Sequence, residues 1–315
     1  MSQYFDGKDL FLEPRTTQVG SHMIMSNVQK QTKIKLVNVD TKFRDDYQYN
    51  QVCNFNITIP ERINEVKSLQ VKSVELPMSY YNISSNLGNN YFKISDYSDS
   101  SSYAVIDISD GYYTKSTIAD AINTAISKAP SAFQKMNYDT ANGFSAMRTT
   151  SSSYTYTVEF DIDSTGAPDK FHFNTKLGWL LGFRQTQYDV LYVSPAVISE
   201  KIIDLTNPRY LYLAIEEFNK GNQKSFITPL AGYMVNKNVI ARISLNNQLY
   251  PNVLGTGSVT VLPSNKYNGL LSDTRTYSGK VDLQKINVQL LSETGIPMDL
   301  NGLDFSFCLE VEHEA

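Results

Sequence analysis

Apolar and polar residues alternate with a period of two along most of this chain, which is typical of strands that bury one face. The alternating runs are short and are separated by turns rich in Gly, Pro and Asn. A change of parity between Val71 and Val74 predicts a bulge or bend within one strand, which Pro77 closes. The pattern predicts strands at residues 34–36, 55–60, 69–76, 103–108, 154–160, 171–173, 209–215, 239–245, 258–262, 286–291 and 305–311.

One segment has helical spacing instead. Between residues 116 and 129 apolar side chains recur three and four positions apart, and Pro130 follows, which predicts a short helix. Thr117 and Asp120 have the spacing of a capping box at its start. Residues 175–183, rich in Gly and Leu, are predicted to form a tight corner plugged into the core.

Many short strands with a single helix favour an all-β fold, an antiparallel jelly-roll sandwich with one short helix at about 116–129 and an extended N-terminal arm. The predicted organisation is an arm at residues 1–30 and a single jelly-roll β-sandwich domain at 31–315. That domain has an excursion around residues 110–180.

The arm lacks steady periodicity but is richer in apolar residues than a disordered tail. It is therefore predicted to become ordered against another surface, either its own domain or a neighbouring molecule. The predicted interaction residues are Tyr4, Phe5, Leu10, Phe11 and Leu12.

Composition and charge exclude several classes of function. The chain of 315 residues has 21 Tyr and 15 Phe but one Trp, which favours strands and wet protein contacts. Its net charge is −4 without a dense basic run, so direct nucleic-acid binding is not expected. It has no apolar stretch near the roughly 20 residues that span a bilayer, and the residues after Met1 do not resemble a secretory signal.

The metal-ligating residue types are sparse. Cys53 and Cys308 are expected to be buried free thiols; a disulfide would require the first and last strands to lie side by side. Three scattered histidines do not favour a zinc site. Residues 161–166 begin like a calcium loop, but His172 stands where that loop needs a closing Glu, so a polar hairpin turn is expected. No metal and no cofactor are predicted.

The sequence also lacks recognisable catalytic motifs, including a nucleophile elbow and a phosphate-binding loop. Asp45, Asp46, Glu216 and Glu217 are the candidates for a carboxylate pair of the glycosidase type, but they are expected to be solvated charges. Trp179, with the many Tyr residues, is a candidate sugar-stacking platform, although aromatic residues at strand spacing are more often core. No catalytic residue is assigned, and the chain is not expected to be an enzyme.

Several stretches together resemble one family. They are Ile34–Arg44 leading to Phe55–Pro60; Val66–Pro77, with Tyr80, Tyr81 and Asn89–Phe92 after it; Asp110–Tyr113, running into the predicted helix; Leu177–Arg184, followed by Asn207–Leu213; and the closing Leu300–Phe307. In their order and spacing, which cover residues 33 to 311, the chain is similar to the minor capsid and penton-type proteins of nucleocytoplasmic large DNA viruses (giant viruses).

This resemblance implies a jelly-roll structural protein of the virion capsid, assembled in the host cytoplasm. The favoured role is a minor capsid (cement or scaffold) protein beneath or between major capsomers, because an extended arm suits the linking of neighbours. The implied partners are the major capsid protein and other minor capsid proteins, and a homo-oligomer is allowed. The resemblance implies no catalytic residue.

Alternatives remain open. A pentameric penton protein at the vertices would form closed, symmetric contacts. A carbohydrate- or receptor-binding β-sandwich would place an exposed aromatic cluster or a metal site on loops at one end. A β-fold hydrolase would need a cleft with two carboxylates about 5 to 10 Å apart.

Overall fold

The computed structural model describes residues 31–49, 51–169, 173–192, 196–217, 229–230, 233–234, 238–245 and 260–315. Within these ranges the chain forms seventeen strands, two α-helices, and 3-10 helices at Thr41–Phe43 and Phe173–Thr175. The strands are β1 Thr32–Asp40, β2 Asn54–Pro77, β3 Tyr91–Asp96, β4 Tyr103–Asp107, β5 Met136–Ala141, β6 Phe144–Thr149, β7 Tyr156–Glu159, β8 Gln187–Val190, β9 Val197–Ile202, β10 Tyr210–Glu216, β11 Pro229–Leu230, β12 Tyr233–Met234, β13 Val239–Ser244, β14 Val261–Asn265, β15 Leu270–Ser272, β16 Arg275–Leu291 and β17 Ser306–Glu314; the helices are α1 Ile118–Ser127 and α2 Leu177–Leu180.

The predicted all-β antiparallel class is confirmed. Pairings between these strands are antiparallel throughout the described ranges. The strand predicted at 171–173 is wrong at its end, because Phe173 begins a 3-10 helix. The pattern predicted one helix, and the four-residue helix α2 is a second one that was not predicted.

A sheet of eight strands encloses the larger core. Its order is β1-β17-β2-β16-β10-β13-β15, with β14 paired to β2. The sheet is curved, so that β15 at the end of this order lies next to β2. The amide of Val71 on β2 donates to Ser272 Oγ on β15 at 3.1 Å. On β17, Phe307, Leu309 and Val311 are buried and the residues between them are partly exposed. This inward and outward alternation is the pattern from which the strand was predicted.

β2 is 24 residues long and pairs with different strands along its length. Its first part pairs with β16, and its last part pairs with β17 and β14. The prediction that this strand ends at Pro60 is wrong. The ladder between β2 and β16 shifts register between Leu283 and Lys285, close to Pro60. A proline without an N–H is tolerated there because the regular hydrogen bonds are already interrupted.

The bulge predicted within β2 is confirmed. Cys308 of β17 lies opposite Ser73, and the next residue, Leu309, lies opposite Val71. Lys72 is therefore an extra residue in the ladder, and it changes which side chains face the core.

A second hydrophobic cluster takes its members from Ile83 to Leu205, between β2 and β10 in the chain. It is surrounded by the four-stranded sheet β4-β3-β7-β8, the three-stranded sheet β5-β6-β9 and α1. The excursion predicted around 110–180 falls inside this range. The division into an arm and one domain at 31–315 stays a prediction.

Helix α1 packs its apolar side chains into the second cluster, as its spacing predicted. The Asn123 side chain fixes it to β5, because its Nδ2 donates to the Tyr138 carbonyl at 2.8 Å and its Oδ1 accepts from the Tyr138 amide at 2.9 Å. The predicted capping box is wrong: Thr117 Oγ1 accepts from the Thr114 amide at 3.0 Å and does not cap the helix. No helix in the described ranges is long and apolar enough to cross a bilayer.

The corner predicted at 175–183 is confirmed as a compact element. Gly178 in α2 lies against Phe160, and a Cβ at this position would come within 2.4 Å of the ring. Gly182 has a φ of +93°, and a Cβ there would meet the Lys201 carbonyl oxygen at 2.1 Å. Only glycine allows the chain to turn this closely against the second cluster.

Candidate protein-interaction surface

Three large aromatic side chains lie exposed in the short connection between β1 and β2. Phe43, Tyr47 and Tyr49 are 75%, 56% and 87% exposed. We call these three residues the aromatic segment. Clustered apolar side chains on a protein surface commonly mark a contact site for another molecule.

The aromatic segment is held in place by Arg44, which is almost fully buried. Its Nη1 donates to the Thr41 carbonyl at 2.7 Å and lies 3.2 Å from Asp304 Oδ1, and its guanidinium stacks 4.2 Å above the Tyr47 ring. Thr41 Oγ1 also donates to Asp304 Oδ1 at 2.7 Å. The connection therefore presents its rings on a fixed backbone. Less ordering entropy is lost when such a surface binds a partner.

Strand β1 is the second exposed feature, because it forms the edge of the eight-stranded sheet. Its full length pairs with β17, from Thr32 opposite Glu314 to Asp40 opposite Ser306. On its outer face Ile34 and Leu36 are 62% and 67% exposed. Among the described strands, β1 has a partner on one side only. A strand edge without a partner, with apolar side chains beside it, is a site where another strand can pair.

A third exposed apolar area lies on the outer face of the β5-β6-β9 sheet. Ile198 and Ile202 of β9 are 55% and 54% exposed. Their register partners on β6 are Ala146 and Phe144, and the register shifts between these two pairs. Ile198 and Ile202 thus add exposed apolar side chains to the edge and the aromatic segment.

Trp179, the candidate sugar-stacking residue, is partly covered by its own chain. The guanidinium of Arg184 stacks 3.9 Å from the ring centroid, and Phe173 makes an edge contact at 5.9 Å. Since a sugar ring stacks on an open aromatic face, Arg184 occupies one of the two faces it would use.

The calcium-like stretch at 161–166 forms the expected polar turn. Asp163 Oδ1 accepts from the Thr165 amide at 2.8 Å, the Thr165 hydroxyl at 2.6 Å and the Ala167 amide at 3.1 Å. These hydrogen bonds, that of the Thr165 hydroxyl first, lower the pKa of Asp163. In the described part of the chain, no group of three or more His, Cys, Asp or Glu side chains is placed to hold a metal.

Two of the four candidate catalytic carboxylates, Asp45 and Glu216, accept hydrogen bonds within the fold. Asp45 accepts from the amide of Thr58 at 3.1 Å and from its hydroxyl at 2.6 Å. Glu216 accepts from the Asn238 side chain. Asp46 is exposed in a turn, with a φ of 50°.

Glu217, the fourth carboxylate, was expected to be solvated, which is wrong. It is fully buried, and its Oε1 lies 2.5 Å from Arg275 Nη1 and 2.5 Å from the Tyr277 hydroxyl. Arg275 also donates to the carbonyl oxygens of Ile215 at 2.9 Å and Asn238 at 3.0 Å. Glu217, Arg275 and Tyr277 therefore form a buried hydrogen-bonded ion pair that links β10, β13 and β16. We call these three residues the buried clasp.

The two cysteines are free thiols, as favoured, but only one is buried. Cys53 lies in the larger core, where burial raises the pKa of its thiol. Cys308 was expected to be buried, which is wrong: it lies on the half-exposed outer face of β17. A deeply buried thiol with a raised pKa is a packing group, not a nucleophile.

The structure brings together stretches that are distant in sequence. Arg44 of the first resemblance stretch meets Asp304 of the last one. Sequence reasoning missed the aromatic segment, although three aromatic residues without alternation in a polar connection were a usable signal. The predicted interaction residues lie outside the described residues, and they are Tyr4, Phe5, Leu10, Phe11 and Leu12.

Comparisons with known proteins give distant similarities. No protein-family model and no curated protein matches the chain. The chain is similar to the mavirus penton protein, with a TM-score of 0.43 and 9% identity, over 90% of this chain and 99% of the other. It is also similar to a chain in the 3.5 Å structure of the Sputnik virophage, with a TM-score of 0.37 and 12% identity, over 89% and 98%. At these TM-scores both comparisons report similarity only, and neither assigns a function to this chain.

Proposed function

We propose that this chain is a non-enzymatic structural capsid protein of a large double-stranded DNA virus and works through protein–protein contacts. The observation that carries this proposal is the aromatic segment, whose rings are 56–87% exposed on a backbone fixed by Arg44. Aromatic side chains with a nearby Arg are typical anchors of protein interfaces. The sequence resemblance supplies the kind of assembly, which is a virion shell.

Within this role we infer a minor capsid protein that contacts the major capsid protein and other minor capsid proteins. Assembly would take place in the host cytoplasm, and the protein would remain in the virion. The open edge of β1 and the aliphatic face of β9 suit contacts with more than one neighbour. The arm at residues 1–30 would add a further contact, made by Tyr4, Phe5, Leu10, Phe11 and Leu12.

Particle incorporation tests the role of the aromatic segment. We expect Phe43→Ala with Tyr49→Ala to lower incorporation into virions at least about tenfold, since one interface anchor contributes about 2 kcal/mol or more. Tyr47 is kept because it packs on Arg44. The matched control is Tyr97→Ala with Tyr267→Ala, which removes two rings that are 60% and 86% exposed elsewhere.

The measurement is quantitative mass spectrometry of purified particles from cells that express each variant. Equal incorporation of the two double variants would remove the aromatic segment from the mechanism. Absence of the native chain from purified virions would overturn the capsid role itself. Light scattering of the purified protein separates the alternatives, since a pentamer would favour the vertex penton.

A further inference from the structure

A groove lies where the two hydrophobic clusters meet. One wall of its main hollow, which has a volume of about 370 Å³, includes Trp179 of α2 and Arg184, which follows this helix. The other wall comes from the larger sheet and includes Tyr210 and Glu293. We call this hollow and its extension the seam groove.

The extension is a neighbouring hollow of about 240 Å³ that shares Leu87, Thr175 and Thr294 with the first. Its far end is marked by the ion pair of Lys176 and Asp169, at 2.9 Å. Two hollows in a row along one seam have the shape that an extended polypeptide needs, and a single compact ligand would fill only one of them.

Arg184 gives the groove hydrogen-bond donors. In the described part of the chain its side chain bonds only through Nη1, to the carbonyl oxygens of Trp179 at 3.0 Å and Phe183 at 2.8 Å. The remaining N–H groups of the guanidinium are available to a ligand. A guanidinium held flat against a ring is well placed to bind a carboxylate.

Glu293 gives the groove an acceptor. Its Oε2 receives the Arg209 amide at 3.4 Å, which is a long hydrogen bond. Burial raises the pKa of this carboxyl group. The charges of Arg209 and Arg242 also act on it, and among the described residues its hydrogen-bond donor is the Arg209 amide. A half-buried carboxylate gains from a further donor placed in the groove. Leu87 and Trp179 add apolar surface beside these charges.

We propose that the seam groove binds the N-terminal arm of this chain, residues 1–30, as an extended segment. The arm combines apolar side chains with interleaved charges of both signs, such as Asp6, Lys8 and Asp9. That mixture matches a groove lined by apolar side chains, by the Arg184 guanidinium and by the Glu293 carboxylate. Thirty residues can extend up to about 100 Å, so the arm can reach the groove from its attachment at β1.

This inference rests on the interaction role proposed for the arm and does not depend on incorporation into a virion. Its test therefore uses the purified full-length chain. Trp179 is the one Trp of the sequence and lines the groove, so its fluorescence reports on the groove directly.

The first experiment changes the arm and measures Trp179. We expect serine at Phe5, Leu10 and Phe11 to shift the Trp179 emission to the red and to raise its quenching by acrylamide at least about twofold, because an apolar cover is lost. The matched control places serine at Val19 and Met23, which also lie in the arm. Identical spectra for the wild type and the first variant would overturn the proposal.

The second experiment measures binding of a labelled peptide of residues 1–16 to the arm variant by fluorescence anisotropy. We expect saturable binding with a Kd below about 100 μM, weakened about tenfold by Arg184→Ala. Arg148→Ala removes an exposed arginine outside the groove and should bind like the unchanged protein.

A peptide with Asp6→Asn and Asp9→Asn should also bind about tenfold more weakly, as the Arg184→Ala protein does. This change lies in the peptide and cannot affect folding of the protein. The losses from the peptide change and from Arg184→Ala should not add, because both remove one contact. No saturable binding, or equal loss with Arg148→Ala, would overturn the proposal. So would full additivity of the two losses.

Discussion

Arg275→Met tests the buried clasp that joins β10, β13 and β16. The side chains of Arg275 and Glu217 are 1% and 0% exposed. Methionine fills much of the same volume but removes the charge and the donors that reach the carbonyl oxygens of Ile215 and Asn238. Glu217 would then keep its buried charge and the hydrogen bond from the Tyr277 hydroxyl, but it would lose the neighbouring positive charge of Arg275.

The expected loss follows from the burial of the pair. Removing one member of a buried ion pair costs about 3–5 kcal/mol, because the remaining charge stays away from water. An unfolding entropy of about 2.1 cal/mol/K per residue gives about 0.66 kcal/mol/K for a chain of this length. The melting temperature of Arg275→Met should therefore fall by about 5–8 °C.

Thermal and urea unfolding followed by circular dichroism would measure this loss. The double variant Arg275→Met with Glu217→Leu should be more stable than Arg275→Met alone, because both buried charges are then removed. Arg148→Met, at an exposed position, is the matched control. A melting temperature of Arg275→Met within about 1 °C of the wild type would refute this reasoning. A double variant less stable than the single one would also refute it.

Two further changes test local packing and pH dependence. Gly178→Ala should cost about 1–3 kcal/mol in urea unfolding, because its Cβ would lie 2.4 Å from Phe160, whereas Gly279→Ala meets no atom within 4 Å and should be near neutral; equal effects would contradict this. Burial alone would raise the pKa of Glu200, but hydrogen bonds, first from Tyr188, outweigh it and lower the pKa. The stability that Glu200 contributes is thus complete above about pH 4.5 and is lost as pH falls through the lower folded pKa, so thermal melts of Glu200→Gln from pH 6 to pH 3 should fall less than those of the wild type. Parallel pH profiles would contradict the assignment.

The elements that could be predicted from sequence are those whose pattern is local. β17 shows a clean alternation over its buried positions, and α1 shows a run of apolar residues at helical spacing. The bulge at Lys72 was visible because an extra residue changes the parity of the apolar positions along the chain. Each of these signals fits within about ten residues.

Other elements had no such signal. β3 was not predicted because four of its six residues are buried on both faces, which removes the alternation. The continuity of β2 through Pro60 depends on irregular pairing with β16, a strand more than 200 residues away. The hydroxyl oxygen of Thr117 accepts from the Thr114 amide instead of capping the helix, because neighbouring backbone N–H groups compete for the same side-chain acceptor.

Some features of the candidate surface could likewise be predicted from local sequence, and others could not. The exposure of Tyr47 and Tyr49 follows from the lack of alternation around them, but the Arg44 side chain that packs on Tyr47 is paired with Asp304, far along the chain. Glu217 looked like a surface charge because its cation, Arg275, lies 58 residues further on. Sequence patterns show which residues are apolar, whereas burial of a charge depends on partners that only the fold brings close.

The pairing of β1 and β2 with β14, β16 and β17 has a consequence for the order of folding. Strands synthesised first wait for partners synthesised more than 180 residues later, and closing such long loops is slow. The hairpins β3–β4 and β5–β6 pair with their immediate neighbours in the chain, as short-range contacts. The region of the second cluster, between β2 and β10, should therefore fold while the growing chain still lacks the strands that complete the large sheet. Strand β1 should be among the last to pair, because β17 is its partner.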